Sequence, residues 1–297
     1  MQRASIKRNG WAHVRLAAGL APALAFASPA SADEPLFGYV NTTDLLPKGK
    51  WQLETWGTLQ RSDALGEYRV LQGRTEADYG LTSRVQVTGY LNYSSVDAHI
   101  DAAAARALGM TPQGHIEQSQ FDGVTGEVIW RLASPYLDPV GFALLLDGTV
   151  GHGQEVVGVK AIGQKNFRDD TVVLAANLRA DFGLREPRAT NAFGLPSSRH
   201  VTTLEASAGA SYRFRPNWSA ALEVRARQVR AGGDRLASAV FLGPTIHYGG
   251  ERWFATLTAL KRVSASDAPD PALASSLVYA RDRASWDGVR LRLGRTF

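Results

Sequence analysis

Cysteine is missing from this chain of 297 residues. No disulfide framework is available, so the fold must rest on packing and hydrogen bonds alone. Long apolar runs are missing too. Beyond the first 32 residues no stretch reaches the length of about 18 that a membrane helix needs, which excludes a helical membrane protein. An excess of one charge is missing once the amino-terminus is set aside. Residues 1–32 hold Arg3, Lys7, Arg8 and Arg15 and no acid, which leaves 29 basic against 28 acidic residues. A nucleic-acid partner needs a clustered basic face, and this balance gives it no support. Metal signatures are absent as well: there is no H-x-x-x-H helix and no carboxylate-dense loop, and no metal or cofactor is expected. A nucleophile motif of the G-x-S-x-G kind is absent. Glycines at 151, 153, 232 and 233 follow no buried parallel strand and read as turn residues rather than a phosphate cradle.

What is present begins with a leader. A basic stretch to Arg15, an apolar run from Leu16 to Phe26, and Ala30-Ser31-Ala32 form the three parts of a secretory signal peptide over residues 1–32. Residues 33–49 show no strand pattern and contain Pro35, Pro47 and Gly49. They are expected to form a periplasmic amino-terminal segment, lying under the following domain or folding up into it. From residue 50 the pattern is period 2. Trp51, Leu53, Thr55, Gly57 and Leu59 alternate with Gln52, Glu54, Trp56, Thr58 and Gln60. Leu204, Ala206, Ala208 and Ala210 alternate with Glu205, Ser207 and Gly209. Segments of about ten residues with one apolar and one polar face predict a transmembrane β-barrel.

Twelve such segments are expected, near 50–61, 67–79, 84–95, 123–132, 140–150, 155–165, 170–183, 201–214, 218–229, 237–248, 253–261 and 288–297. The weakest are 155–165 and the pair 237–248 and 253–261. Pro244 interrupts its strand and would have to sit at a bulge or slip point. The three longest connections, 96–122, 184–199 and 262–286, all fall on one side, as long extracellular loops opposite short periplasmic turns. Ala-rich residues 101–108 read as a short helix within the first of them. The fold expected is therefore all-β: one antiparallel barrel over residues 50–297. A periplasmic β-sandwich shares the periodicity, because period 2 reports one buried face and not the solvent on the other.

The chain stops on Val289-Arg290-Leu291-Arg292-Leu293-Gly294-Arg295-Thr296-Phe297, an alternating strand with a terminal aromatic residue. Outer-membrane barrels commonly end so, and Phe297 resembles the signal read by the barrel assembly machinery. The expected partners are outer-membrane lipid, that machinery, and small polar solutes. Trp51, Trp56, Trp130, Trp218 and Trp253, with Tyr79, Tyr212 and Tyr248, fall near strand ends and read as interfacial girdles.

Three stretches carry a resemblance: Tyr39 to Trp51 (Tyr-Val-Asn-Thr-Thr-Asp-Leu-Leu-Pro-Lys-Gly-Lys-Trp), Tyr79 to Arg84, and Phe121-Asp122-Gly123 with Ser134 to Gly141. Together they resemble a family of Gram-negative outer-membrane barrels of unknown function. The resemblance implies a fold and a location in the outer membrane, and no activity.

The inward faces are rich in charge. The candidates for lining a lumen are Arg74, Glu76, Arg84, Glu127, Arg131, Arg179, Asp181, Glu205, Arg225, Arg227, Arg290 and Arg292. Two readings follow. Rings of arginine suit a narrow pore for small polar, even anionic, solutes. Alternatively, Arg–carboxylate pairs close the lumen, and the barrel acts through its outer loops as a structural or interaction protein. A lipid hydrolase has the least support: no catalytic residue is assigned, and His152 and His200 near the outer rim are the ones that merit testing.

Overall fold

The computed structural model describes residues 35–62, 66–100, 115–151, 154–185, 201–231, 234–267 and 288–297. Its elements are β1 (Trp51–Ser62), β2 (Gly66–Gly80), β3 (Val85–Ile100), β4 (Ile116–Ala133), β5 (Gly141–Gly151), β6 (Gln154–Phe167), β7 (Val172–Arg185), β8 (Val201–Arg215), β9 (Trp218–Ala231), β10 (Asp234–Gly249), β11 (Trp253–Asp267) and β12 (Gly288–Thr296). Every strand pairs antiparallel with its sequence neighbour, and β1 pairs with β12 to close the barrel. Closure leaves no edge of bare N–H and C=O groups, which hydrocarbon would penalise by several kcal/mol each. It also removes the sandwich alternative.

The alternation predicts the faces. Leu53, Leu91, Val128, Leu144, Leu146, Leu178, Leu222, Leu257 and Leu291 stand exposed on the outside, while Gln52, Glu54, Glu76, Gln164, Asn177 and Glu223 are buried within. An apolar exterior around a polar interior is the inverse of a soluble fold, and suits a lipid solvent. Aromatic clusters mark the ends of the strands, with Trp51 against Tyr79, and Tyr248 against both Trp218 and Trp253. Both clusters sit at the end with the short turns.

Pro244 stays within β10. It pairs with Leu222 on β9, while the β10–β11 ladder has no rung at Gly243 or Pro244 and shifts register at Val240/Phe241. The missing donor therefore falls where no ladder bond is needed. The connection expected over 96–122 is shorter than predicted, because β3 runs on to Ile100 and β4 starts at Ile116. Beyond the apolar band both faces meet water, so Ser94, Ser95, Asp97, Gln118 and Ser119 extend the hairpin without alternating. β11 likewise outruns its expected end. The leader, the helix expected at 101–108, His152, His200 and most of 184–199 and 262–286 lie outside the described residues.

Of the two placements open to residues 33–49, residues 35–46 take the interior. Phe37, Val40, Thr43 and Leu46 are buried against the inner wall. The chain enters at the short-turn end beside Thr256, climbs to Tyr39 near Gly288, and descends past Gln164 and Gln86 to begin β1. It is an internal part of the barrel, not a separate piece beneath it.

Candidate functional site

The inner segment makes no β-ladder with the wall. Its backbone groups are instead met by inward side chains placed by strand alternation. Glu223 on β9 accepts from the N–H of Gly38 and of Tyr39, both at 2.8 Å. The same carboxylate accepts from the hydroxyls of Thr245 and Thr258 on β10 and β11. Asn177 on β7 accepts from Asn41 N–H at 2.7 Å and donates to Asn41 C=O at 2.9 Å. Gln164 on β6 accepts from Thr43 N–H at 2.6 Å, and Gln86 on β3 from Leu46 N–H at 2.8 Å. Arg290 and Arg292 donate to the carbonyls of Gly38 and Phe37. A buried backbone without secondary structure must find such partners, and here the wall supplies them.

Apolar seats complete the fit. Leu45 packs among Ile129, Ala143, Leu145 and Ile162. Phe37 lies against Ala175, and its ring fills the space that a Cβ at Gly209 would take. The three stretches that carried the family resemblance meet here. Thr43 of the first stands against Gly141 of the third, and the carbonyls of Leu46 and Pro47 stand against Gly80 of the second. Burial pushes the Asp44 carboxyl above its ordinary range, opposed by hydrogen bonds from Gln164, Tyr136 and Thr42 and by the charge of Arg131.

Beside the segment lies a cavity of about 280 Å³, lined by the segment itself from Pro35 to Asp44, by Trp56 and by most of the predicted charges. Arg292 is gripped by Glu54 at 2.5 and 2.9 Å, with Glu76 at 3.8 Å. Arg225 pairs with Glu205 at 2.5 Å. Arg179 bridges Asp147 at 2.8 Å and Asp181 at 2.6 Å, in space left open because Gly158 has no side chain. Glu127 and Arg227 also line the cavity.

Two arginines have no carboxylate within ion-pair distance among the described residues. Arg74 stacks between Tyr90 (4.2 Å) and Trp56 (5.0 Å), and Arg290 between Trp56 (4.2 Å) and Tyr39 (3.8 Å). Arg225 covers the Tyr39 ring at 4.9 Å. The result is a continuous ladder, Tyr90–Arg74–Trp56–Arg290–Tyr39–Arg225, in which each guanidinium charge is held by aromatic faces. Tyr39, on the inner segment, is one of its rungs.

Two predicted lining residues are misplaced. Arg84 precedes β3, is exposed, and is tied through its carbonyl to Arg131 N–H. Arg131 sends its guanidinium to Ser83 C=O at 2.7 Å, next to a register shift at Arg131/Ala133. Both belong to the short-turn rim, because the strands end there and alternation no longer aims a side chain inward. Sequence reasoning missed Tyr39, Gln86, Gln164 and Asn177. The available signal was the run of long amides and a lone carboxylate at inward positions, which a water-filled lumen does not require.

No curated protein matches the chain by sequence. Among solved structures it is similar to the COG4313 outer membrane channel from Pseudomonas putida F1, at 12% identity and a TM-score of 0.60, over 86% of this chain and 98% of that one. It also matches the NanC porin at 10% identity and a TM-score of 0.49, over 82% of this chain and 98% of that one. The likeness to the channel concerns the fold alone, a closed barrel of outer-membrane type. Residues 29–269 match the family of unknown function DUF6662, and the chain belongs to that family.

Proposed function

We propose that the protein is an outer-membrane channel for small polar solutes, closed at its short-turn end by its own residues 35–46. The observation that carries this reading is the mode of attachment. The segment is held by hydrogen bonds with wall side chains, one aromatic latch and the apolar seats of Phe37 and Leu45, with no ladder of backbone bonds to the barrel. A polar seat lets either state, docked or released, keep its hydrogen bonds, the released one through water. If residues 1–32 are removed on export, the segment has a free end and can leave. The cavity and its arginine–aromatic ladder border the closing segment and favour solutes that carry negative charge.

A second reading rests on the ion pairs. Three arginines locked to carboxylates rigidify the lumen and suit a barrel that never conducts. Planar-bilayer recording separates the two. The native barrel should be mostly silent with brief openings, and a chain lacking residues 35–46 should conduct steadily with anion preference. Heat-modifiable migration confirms that both are folded. Silence from the folded deletion variant selects the non-conducting barrel. Equal steady conductance from both shows that the segment is not the gate.

A further inference from the structure

The β3–β4 hairpin carries a cluster that the lumen does not use. Asp97, His99 and His115 offer one ligand atom each, and these atoms lie within 4.8 Å of one another. The ladder explains why. The outermost rungs of the ladder set Asp97 opposite Glu117 and Ala98 opposite Ile116, so the next step along the antiparallel pair sets His99 opposite His115. Residues two apart share a face. All four side chains therefore stand on the same surface of the hairpin. That surface continues outward from Tyr93 and Phe121 on the exterior of the barrel. Six residues separate Tyr93 from His99, about 20 Å of strand, which carries the cluster well beyond the apolar band.

We propose that Asp97, His99 and His115 bind a divalent transition-metal ion, with zinc the best match. Two imidazoles and one carboxylate are a zinc-type donor set that leaves a coordination position open. Water or the Glu117 carboxylate can fill it. The imidazole rings already stack at 4.3 Å, and Asp97 contacts His115 Nε2 at 2.9 Å. The metal would take the place of the hydrogen-bonded proton between them. All three side chains are at least partly exposed, so the ion has an entry path, and two carboxylates beside the imidazoles favour a dication. A hydrolytic dyad is the other use of a His–Asp contact. Here no hydroxyl is hydrogen-bonded to either imidazole among the described residues, so the nucleophile that dyad requires is not in place. Bound metal would join the two arms of the hairpin across residues 101–114.

Isothermal titration of the purified full-length barrel in detergent with zinc chloride tests this. One ion per chain is expected, with at least tenfold weaker binding in His99→Ala and in His115→Ala, and the same loss in the milder His99→Asn. Trypsin gives an independent readout, since Arg106 lies between the two arms in sequence. Zinc should slow cleavage there at least threefold in the native chain and not in His99→Ala. No stoichiometric binding overturns the proposal. So does undiminished binding in the His99→Ala/His115→Ala double variant, which would assign the metal to other histidines.

Discussion

Replacing Glu223 by alanine should open the barrel without dismantling it. Glu223 is fully buried, and four donors converge on its two oxygens, two from the backbone of the inner segment and two from wall hydroxyls. The hydroxyls of Thr245 and Thr258 lie 2.7 Å apart, so one can turn its proton to the other, and that part of the wall keeps a bond when the carboxylate goes. The N–H groups of Gly38 and Tyr39 do not. Leaving a buried donor unmet costs about 1–3 kcal/mol each, so docking weakens by about 2–4 kcal/mol once some water enters the gap. At about 1.4 kcal/mol per tenfold, the ratio of released to docked segment rises about thirty- to a thousandfold. Glu223→Gln sharpens the test. One carboxylate oxygen faces Gly38 N–H and the other Tyr39 N–H, so an amide must turn its own donor toward one of them. An intermediate effect is expected. Open probability in planar bilayers is the assay. If both variants match the native record while the chain lacking residues 35–46 conducts, Glu223 is no latch and the polar seat is not what holds the segment.

Three further perturbations probe other parts of the same arrangement. Tyr39→Ala removes the ring between Arg290 and Arg225, two desolvated cation–π contacts together contributing about 1–4 kcal/mol, and should raise open probability, whereas Tyr39→Phe should stay near native. Equal behaviour of the two would assign the latch to the hydroxyl or to backbone contacts. Arg292→Ala leaves the Glu54 carboxylate buried without its partner and should lower stability by about 3–5 kcal/mol in urea unfolding followed by tryptophan fluorescence, with partial recovery in the Glu54→Gln background; additive losses would show that the pair is not coupled. Asp44 carries a pH prediction. Its value in the folded state is raised by burial, so its ionised form opposes docking at neutral pH, and docking should tighten as pH falls through that raised value toward the ordinary 3.8. Asp44→Asn should hold the segment closed at neutral pH and lose this component; an Asn variant whose pH profile tracks the native one would exclude Asp44 as its source.

How much of this was legible beforehand depends on what each residue answers to. In the membrane-crossing part of each strand, a side chain answers to one solvent or the other, and the twelve strands and their faces follow from period 2. Leu144, Leu146 and Leu178 point outward and Glu54, Arg179 and Glu205 inward, as alternation requires. Past the apolar band that constraint lapses. The hairpin arms near Asp97 and Gln118 therefore read as loop, and Arg84 and Arg131 were assigned to a lumen they only approach. The inner segment is harder for a different reason. Its irregular backbone has no period of its own, and its partners are spread over β3, β6, β7, β9, β11 and β12, so no local window holds the contact. What the sequence did hold was the other half of the fit. Gln86, Gln164, Asn177 and Glu223 are side chains long enough to reach a backbone across a lumen, set at inward positions where water would need none of them. An inward amide whose oxygen finds no donor on a neighbouring strand is therefore a sign that the barrel holds a guest, and in this chain the guest is the stretch from Pro35 to Leu46.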